Sequence, residues 1–312
     1  MEKITFSSLF PHDRYLRLVL QVVLVVREVL EAFLPADQLA LLNLDTLKLS
    51  SESYISEDLK ESVSDIVYTC ETKDGKPVRI CLLFEHKSTS TGRHIYVQLG
   101  RYLFNIQEKD IRQGLEYFTL TIPVLIYHGE QPWELPPLRE QYGQITKELE
   151  GYIPHFDIVF VNIQALSDES IERMQQFQLL RNVLLALKHA RDNEYVRVYF
   201  RRLLIFVSEN ADEEVLMHLS EATFVYLQQS STLSKEEIMN LIQTLPPPLE
   251  QRAKTTYEQI LEEGIEKGIQ KGIEIGREEG IEIGREEGIE IGREEGIEIG
   301  REEGIEIGRE EG

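Results

Sequence analysis

Two carboxylates and an amine at strand spacing are the residues of this chain best suited to chemistry. Asp65 lies in one β-rich segment, and Glu85-His86-Lys87 follows the apolar run Ile80-Cys81-Leu82-Leu83-Phe84 of the next. Side chains alternate along a strand, so Glu85 and Lys87 are expected on one face, about 6.6 Å apart along it. A neighbouring strand bearing Asp65 would bring a second carboxylate to the same edge. Two carboxylates can hold a Mg²⁺ ion that keeps several of its waters. Such an ion polarises a phosphodiester and acidifies a water, while the ammonium orients that water or neutralises developing charge. These are the parts of metal-dependent phosphodiester hydrolysis.

An acid two residues before a lysine occurs four times, as Asp58-Leu59-Lys60, Glu71-Thr72-Lys73, Asp74-Gly75-Lys76 and Glu85-His86-Lys87. Context separates them. The first lies in a charged loop and the next two in a turn, where charges face water. Only Glu85 and Lys87 end an apolar run, where charge is costly without a partner or purpose. Alternation directs His86 to the opposite face, to pack or hydrogen-bond. His12 beside Asp13 reads as a local cap.

The elements that must position these residues follow from periodicity. Apolar residues at Leu16, Leu20, Val23, Val26, Leu30 and Phe33 predict a first helix over 12–34, stopped by Pro35. Strands are expected at 46–54, 64–71 and 77–86, the last two joined by the Asp74-Gly75 turn. Residues 93–110 return to a helical period. Strands at 118–127 and 156–163 follow, with a helix between them over 137–150. The expectation is α/β: a mixed sheet flanked by helices over 1–165.

Residues 166–245 read as all-helical, with Asp168 and Ser234 as N-caps, and Glu237 stands at the capping-box spacing from Ser234. The prolines 246–248 close that region. The remainder, 246–312, is a Pro-bounded linker and a tandem-repeat tail in which thirteen glycines recur at every fourth position from Gly264 and the octad GIEIGREE runs five times from Gly272. Each glycine costs a helix about 0.8–1 kcal/mol relative to alanine, so the tail as a lone helix forfeits roughly 10 kcal/mol. It is expected either to remain a solvated acidic extension or to self-associate, glycine allowing close backbone approach. Five identical octads also suggest a copy number that varies.

Composition limits the partners. The chain has 312 residues and a formal charge of −22, with Lys and Arg numbering 33 against 55 Asp and Glu. Residues 262–312 hold 18 Glu against 7 basic side chains, which is −11, half of the total. A protein that coats DNA through broad positive charge is excluded, and any nucleic-acid contact must be local. Two cysteines cannot form a disulfide framework or a zinc site, which points to a reducing cytoplasm. The longest apolar run, Leu18 to Val26, contains Gln21 and is too short to span a bilayer, and no secretory leader is expected. No nucleotide-binding loop or serine-hydrolase elbow is present.

The order of helix, Asp on the second strand, Glu-x-Lys on the third and a following helix resembles the PD-(D/E)XK nuclease superfamily. The segments His12-Asp13-Arg14, Leu30-Glu31-Ala32-Phe33-Leu34-Pro35, Ser64-Asp65-Ile66-Val67-Tyr68 and Leu83-Phe84-Glu85-His86-Lys87-Ser88 are similar, more closely, to the Rpn family of recombination-promoting nucleases and transposase-like proteins. The resemblance covers about residues 5–165. It implies a restriction-endonuclease-like fold and a DNA endonuclease using Mg²⁺, or Mn²⁺ in its place, linked to recombination or to defence against foreign DNA. Asp65 and Glu85 match the metal-binding acids and Lys87 the motif lysine, a position where the family often carries Gln. Gln98, Arg101 and Tyr102 fall where the superfamily places accessory orienting or phosphate-binding residues, and Arg93 is the nearest loop cation for a DNA phosphate. Glu31, or equally Glu28, could complete the metal shell. A homo-oligomer, most simply a dimer, would let two sites cut both strands. The alternative is an inactive nuclease-fold interaction module acting through its tail.

Overall fold

The structure is a computed structural model that describes residues 11–50, 66–85, 93–129 and 133–310. The chain divides into two compact units, Met1–Lys254 and Thr255–Gly312. The first is built on a five-stranded mixed sheet, β1 (Leu42–Leu49), β2 (Ile66–Thr72), β3 (Pro77–Glu85), β4 (Leu120–Tyr127) and β5 (Val159–Asn162), lying in that spatial order. The β1-β2-β3 meander is antiparallel, and β4 and β5 join parallel to β3. The expected α/β class with a mixed sheet is therefore observed.

The two sheet faces are built by alternation. Odd-numbered Val67, Cys81, Leu83 and Leu125 pack against Ile95, Leu99, Tyr102 and Ile106 of α4 (Arg93–Arg112). Toward the other face, Tyr68 donates its hydroxyl hydrogen to the Leu20 carbonyl at 2.8 Å. That bond bears on the first correction. The single helix expected over 12–34 is two, α1 (Pro11–Val19) and α2 (Val23–Phe33). The Leu20 carbonyl is engaged by Tyr68, and the Val22 amide turns back to Val19 at 3.2 Å, so the helical ladder breaks there without proline or glycine. A one-turn helix α3 (Ala36–Leu39) follows.

β1 begins four residues before the expected strand and ends at Leu49. Its register to β2 shifts between Asn43 and Lys48, where the Thr46 hydroxyl replaces a ladder partner, accepting from the Glu71 amide and donating to Asn43 O. The β2–β3 turn is as expected. Gly75 takes φ +84°, which L side chains rarely adopt, and Lys76 pairs with Asp74 in solvent at 2.9 Å.

The helix expected over 137–150 is absent. Two short 3₁₀ turns stand there instead, Leu138–Tyr142 and Lys147–Tyr152. Gly143 at φ +72° breaks the run, and the apolar pattern is too sparse to bury a helix face.

The all-helical region comprises α5 (Asp168–Glu172), α6 (Gln178–His189), α7 (Asn193–Leu204), α8 (Glu213–Ser230) and α9 (Lys235–Ile242). It buttresses the first two helices. Tyr15 of α1 stacks on Tyr226 of α8 at 4.4 Å between centroids and bonds Thr223 at 2.8 Å. The α5 cap is Ser167, whose oxygen accepts the Ser170 amide, one residue before the expected Asp168. Asp168 instead pairs with Lys188 and His189, both at 2.9 Å. The Ser234/Glu237 capping box is complete.

The last helix, α10 (Pro247–Glu310), starts on the proline run, since proline suits a first helical turn. Its repeat residues are solvent-exposed wherever side chains are described, including Ile273 at 66%. Among the described residues no helix is long and apolar enough to cross a membrane.

Candidate functional site

β3 lies at the centre of the sheet and is the strand where antiparallel pairing gives way to parallel. Ile66, the first residue of β2, is opposite Leu82, and Glu85 ends β3 opposite Tyr127. The start of β2 and the ends of β3 and β4 are thus one edge of the sheet. From Leu82 to Glu85 the strand advances about 10 Å. Asp65 is the residue before Ile66, and Lys87 is two beyond Glu85; both fall outside the described residues, as do His86 and Asp58-Leu59-Lys60. Glu85 has the strand parity of Cys81 and Leu83, the residues that meet α4.

Helix α4 is fixed across this face at both ends. Near its C-terminus, Asp110 accepts from Arg79 of β3 at 2.6 Å and from the Thr119 amide at 2.7 Å. Both charged side chains are buried, Arg79 at 8% and Asp110 at 1% exposure. Near its N-terminus, the Tyr96 hydroxyl donates to Pro136 O at 2.9 Å, and the Tyr96 ring is 6.1 Å from that of Phe156. Burial raises the pKa of Tyr96 above its ordinary value.

The buried pair also sets how far along the strand each turn of α4 lies. Arg79 to Glu85 is about 20 Å of strand, and Asp110 to Gln98 is about 18 Å of helix. Gln98 is thus in the half of α4 remote from the buried pair, as Glu85 is at the end of β3 remote from it. It is half-buried, in the α4 rows of Ile95 and Tyr102, which bury against the sheet. Arg101 is exposed. Arg93 opens α4, and its side chain lies outside the described ones.

The two acids considered for the metal shell have other partners. Glu28 Oε2 accepts the Leu180 amide at 2.7 Å, capping the N-terminus of α6. Burial pushes its carboxyl up to about 7, against the opposing pull of that backbone bond. Glu31 accepts from Arg27 at 3.0 Å, and Arg27 also reaches Asp45 at 2.9 Å.

The His12-Asp13-Arg14 segment has tertiary work rather than the local capping expected of it. His12 Nδ1 lies 2.5 Å from the Tyr226 hydroxyl, and Asp13 lies 3.3 Å from Nε2 of His128, the residue after β4. The segment thus joins α8 and the carboxyl end of β4 to α1. Sequence reading missed this pairing and that of Arg79 with Asp110. A signal was present for the second, an arginine inside an apolar strand, but nothing local named its partner. Among the described residues no group of three or more His, Cys, Asp or Glu is arranged to hold a metal ion.

Compared with known proteins, residues 10–217 match the model of a family described as "Putative transposase, YhgA-like". The chain is 29% identical over 269 residues to the inactive recombination-promoting nuclease-like protein RpnE of Escherichia coli (strain K12), covering 85% of each chain. It is 27% identical over 262 residues to the recombination-promoting nuclease RpnA of the same strain, covering 83% of this chain and 86% of that one. With the recombination-promoting nuclease RpnD of Escherichia coli O157:H7 it shares 28% identity over 259 residues, covering 82% and 95%. No solved structure matches the chain significantly.

Proposed function

The chain belongs to the YhgA-like transposase family, and from that premise we propose that it is a Mg²⁺-dependent DNA endonuclease of the PD-(D/E)XK type, acting in recombination or in defence against foreign DNA. The observation that carries the reading is the shared sheet edge. The register of Ile66 with Leu82 makes the residue following Asp65 a neighbour of the strand that ends at Glu85, and Gln98 lies in the half of α4 remote from the Arg79–Asp110 pair. The element order from α2 through β1, β2, β3 and α4 to β4 is also the order that the superfamily resemblance implies. The names of RpnA and RpnD as recombination-promoting nucleases support the same activity.

The donor set suits the metal. Asp65 and Glu85 would hold Mg²⁺ through hard carboxylate oxygens, leaving positions for water and phosphate. When bound, Mg²⁺ supplies Lewis-acid polarisation of the scissile phosphodiester and a more acidic water. Lys87 neutralises charge developing on the phosphate, or orients the attacking water through its ammonium hydrogens. Gln98 orients groups at the strand end from its fixed helix. Arg93 contacts a flanking phosphate. The overall negative charge limits nonspecific affinity, so DNA binding rests on few cations and weakens with salt. A dimer supplies two such sites for two strands, and the repeat tail modulates assembly. A cytoplasmic setting accords with two buried cysteines, Cys70 and Cys81, that form no disulfide.

A second reading is an interaction module without chemistry, and the name of RpnE as inactive favours it. Nicking of supercoiled plasmid in Mg²⁺ and in EDTA separates the two. The wild-type chain should nick only with the metal, and folded Asp65→Ala and Lys87→Ala chains should lose about 100-fold or more. Equal nicking by all three would overturn the assignment, and none by any would favour the module.

A further inference from the structure

While α4 buries Ile95, Leu99, Tyr102 and Ile106 against the sheet, it exposes a second stripe to solvent. Val97, Phe104 and Ile111 are 56%, 69% and 64% exposed, and each is seven residues from the next. Arg101 and Glu108, also exposed, fall between them, and Leu115 follows just beyond the helix. These intervals of four and three residues are those of a helix seam that packs on another helix. In the turn that follows, Tyr117 and Phe118 are also more than half exposed. A contiguous apolar patch of this kind marks an interaction site.

The stripe is its own complement. When α4 lies antiparallel to a second copy about a two-fold axis at Phe104, Val97 faces the partner's Ile111 and Phe104 faces the partner's Phe104. In the same register Arg101 meets the partner's Glu108, and each such contact occurs twice. The only charges within the stripe from Val97 to Ile111 are therefore brought to opposite sign, Arg101 joining a Glu108 that Arg112 of its own helix also holds at 2.6 Å. A parallel packing would instead set Arg101 beside the partner's Arg101.

We propose that the outer face of α4 is the two-fold interface between copies of this chain, with Phe104 at its centre and Arg101–Glu108 pairs beside it. The six large apolar side chains Val97, Phe104, Ile111, Leu115, Tyr117 and Phe118 offer an area on the order of the ~800 Å² per partner of a standard interface. Arg101 is thereby assigned to the partner copy rather than to DNA. Because α4 packs on the sheet whose strand β3 ends at Glu85, the interface relates two such candidate sites by symmetry. The inference builds on the dimer in the proposed function and is independent of its metal chemistry.

The test uses the full chain. Phe104→Cys should form a disulfide-linked dimer on mild oxidation, since a residue on the axis meets itself, and the native Cys70 and Cys81 are buried. Gln113→Cys, nine residues away and about 13 Å along the helix direction, should not. In sedimentation, Phe104→Asp should weaken dimerisation by about tenfold or more. Arg101→Glu should weaken it as well, and adding Glu108→Arg should restore it. A wild-type chain that is monomeric at micromolar concentration, a Phe104→Cys chain that stays uncrosslinked, or a Phe104→Asp chain that sediments as wild type would each overturn the interface. The last outcome would move assembly to the tail. Loss of plasmid nicking with the crosslink retained would count against the nuclease chemistry alone.

Discussion

Replacing Arg79 with methionine removes one half of the only link between β3 and the C-terminal end of α4 in which both partners are charged and buried among the described residues. Asp110, 1% exposed, would keep the Thr119 amide as a donor but lose its counter-charge. Breaking a buried pair from one side costs about 3–5 kcal/mol, because the remaining charge is left uncompensated. The double variant Arg79→Met/Asp110→Leu removes the buried carboxylate and leaves the Thr119 amide without its acceptor, at about 1–3 kcal/mol, so it should be more stable than Arg79→Met alone. Urea unfolding followed by tryptophan fluorescence reads this directly, since Trp133 is the single tryptophan and packs against the core beneath α4. With a slope of about 2–3 kcal/mol per molar, the midpoint of Arg79→Met should fall by about 1–2 M. A shift below about 0.3 M, or a double variant less stable than Arg79→Met, would refute the view that this pair fixes α4 on the sheet.

Two further outcomes are expected. The Glu28 carboxyl, pushed up to about 7 by burial, binds its proton more tightly folded than unfolded, so its contribution to stability is full below about 4.5 and is lost as pH rises toward 7. Glu28→Gln should therefore match the wild type at pH 4.5 and exceed it at pH 8, by about 1–2 kcal/mol after allowance for partial exposure; an unchanged difference across that range in pH-dependent melts would contradict it. A peptide of residues 272–312 should show little helical circular dichroism when dilute, since its glycines alone cost a lone helix several kcal/mol, and should gain helix only with concentration. High helicity independent of concentration would show that the repeat needs no partner.

Much of the sheet was legible because burial imposes simple periods. The run Ile80 to Phe84, the Asp74-Gly75 turn and the Ile95, Leu99, Tyr102, Ile106 stripe each carry their element in local sequence. The break at Leu20 was not legible, because Tyr68, 48 residues away, takes that carbonyl. Nor was the replacement of a helix by 3₁₀ turns at 138–152, where loop geometry at Gly143 prevails over a weak helical pattern. The site divides in the same way. Glu85 stands out at a strand end because charge there contradicts its apolar neighbours, whereas Gln98 is suggested only by the superfamily resemblance. The links that hold their scaffold, Arg79 to Asp110 and Asp13 to His128, join residues remote in sequence, and no single segment names both members.

In the proposed function, Asp65 and Glu85 share one divalent ion. Mn²⁺ binding to the full-length chain, counted by electron paramagnetic resonance of the free ion, tests this most directly. One tight site per chain is expected, competed by Mg²⁺ and lost in both Asp65→Asn and Glu85→Gln while the Trp133 unfolding curve is retained. Undiminished Mn²⁺ binding in either variant, or no site in the wild type, would contradict it.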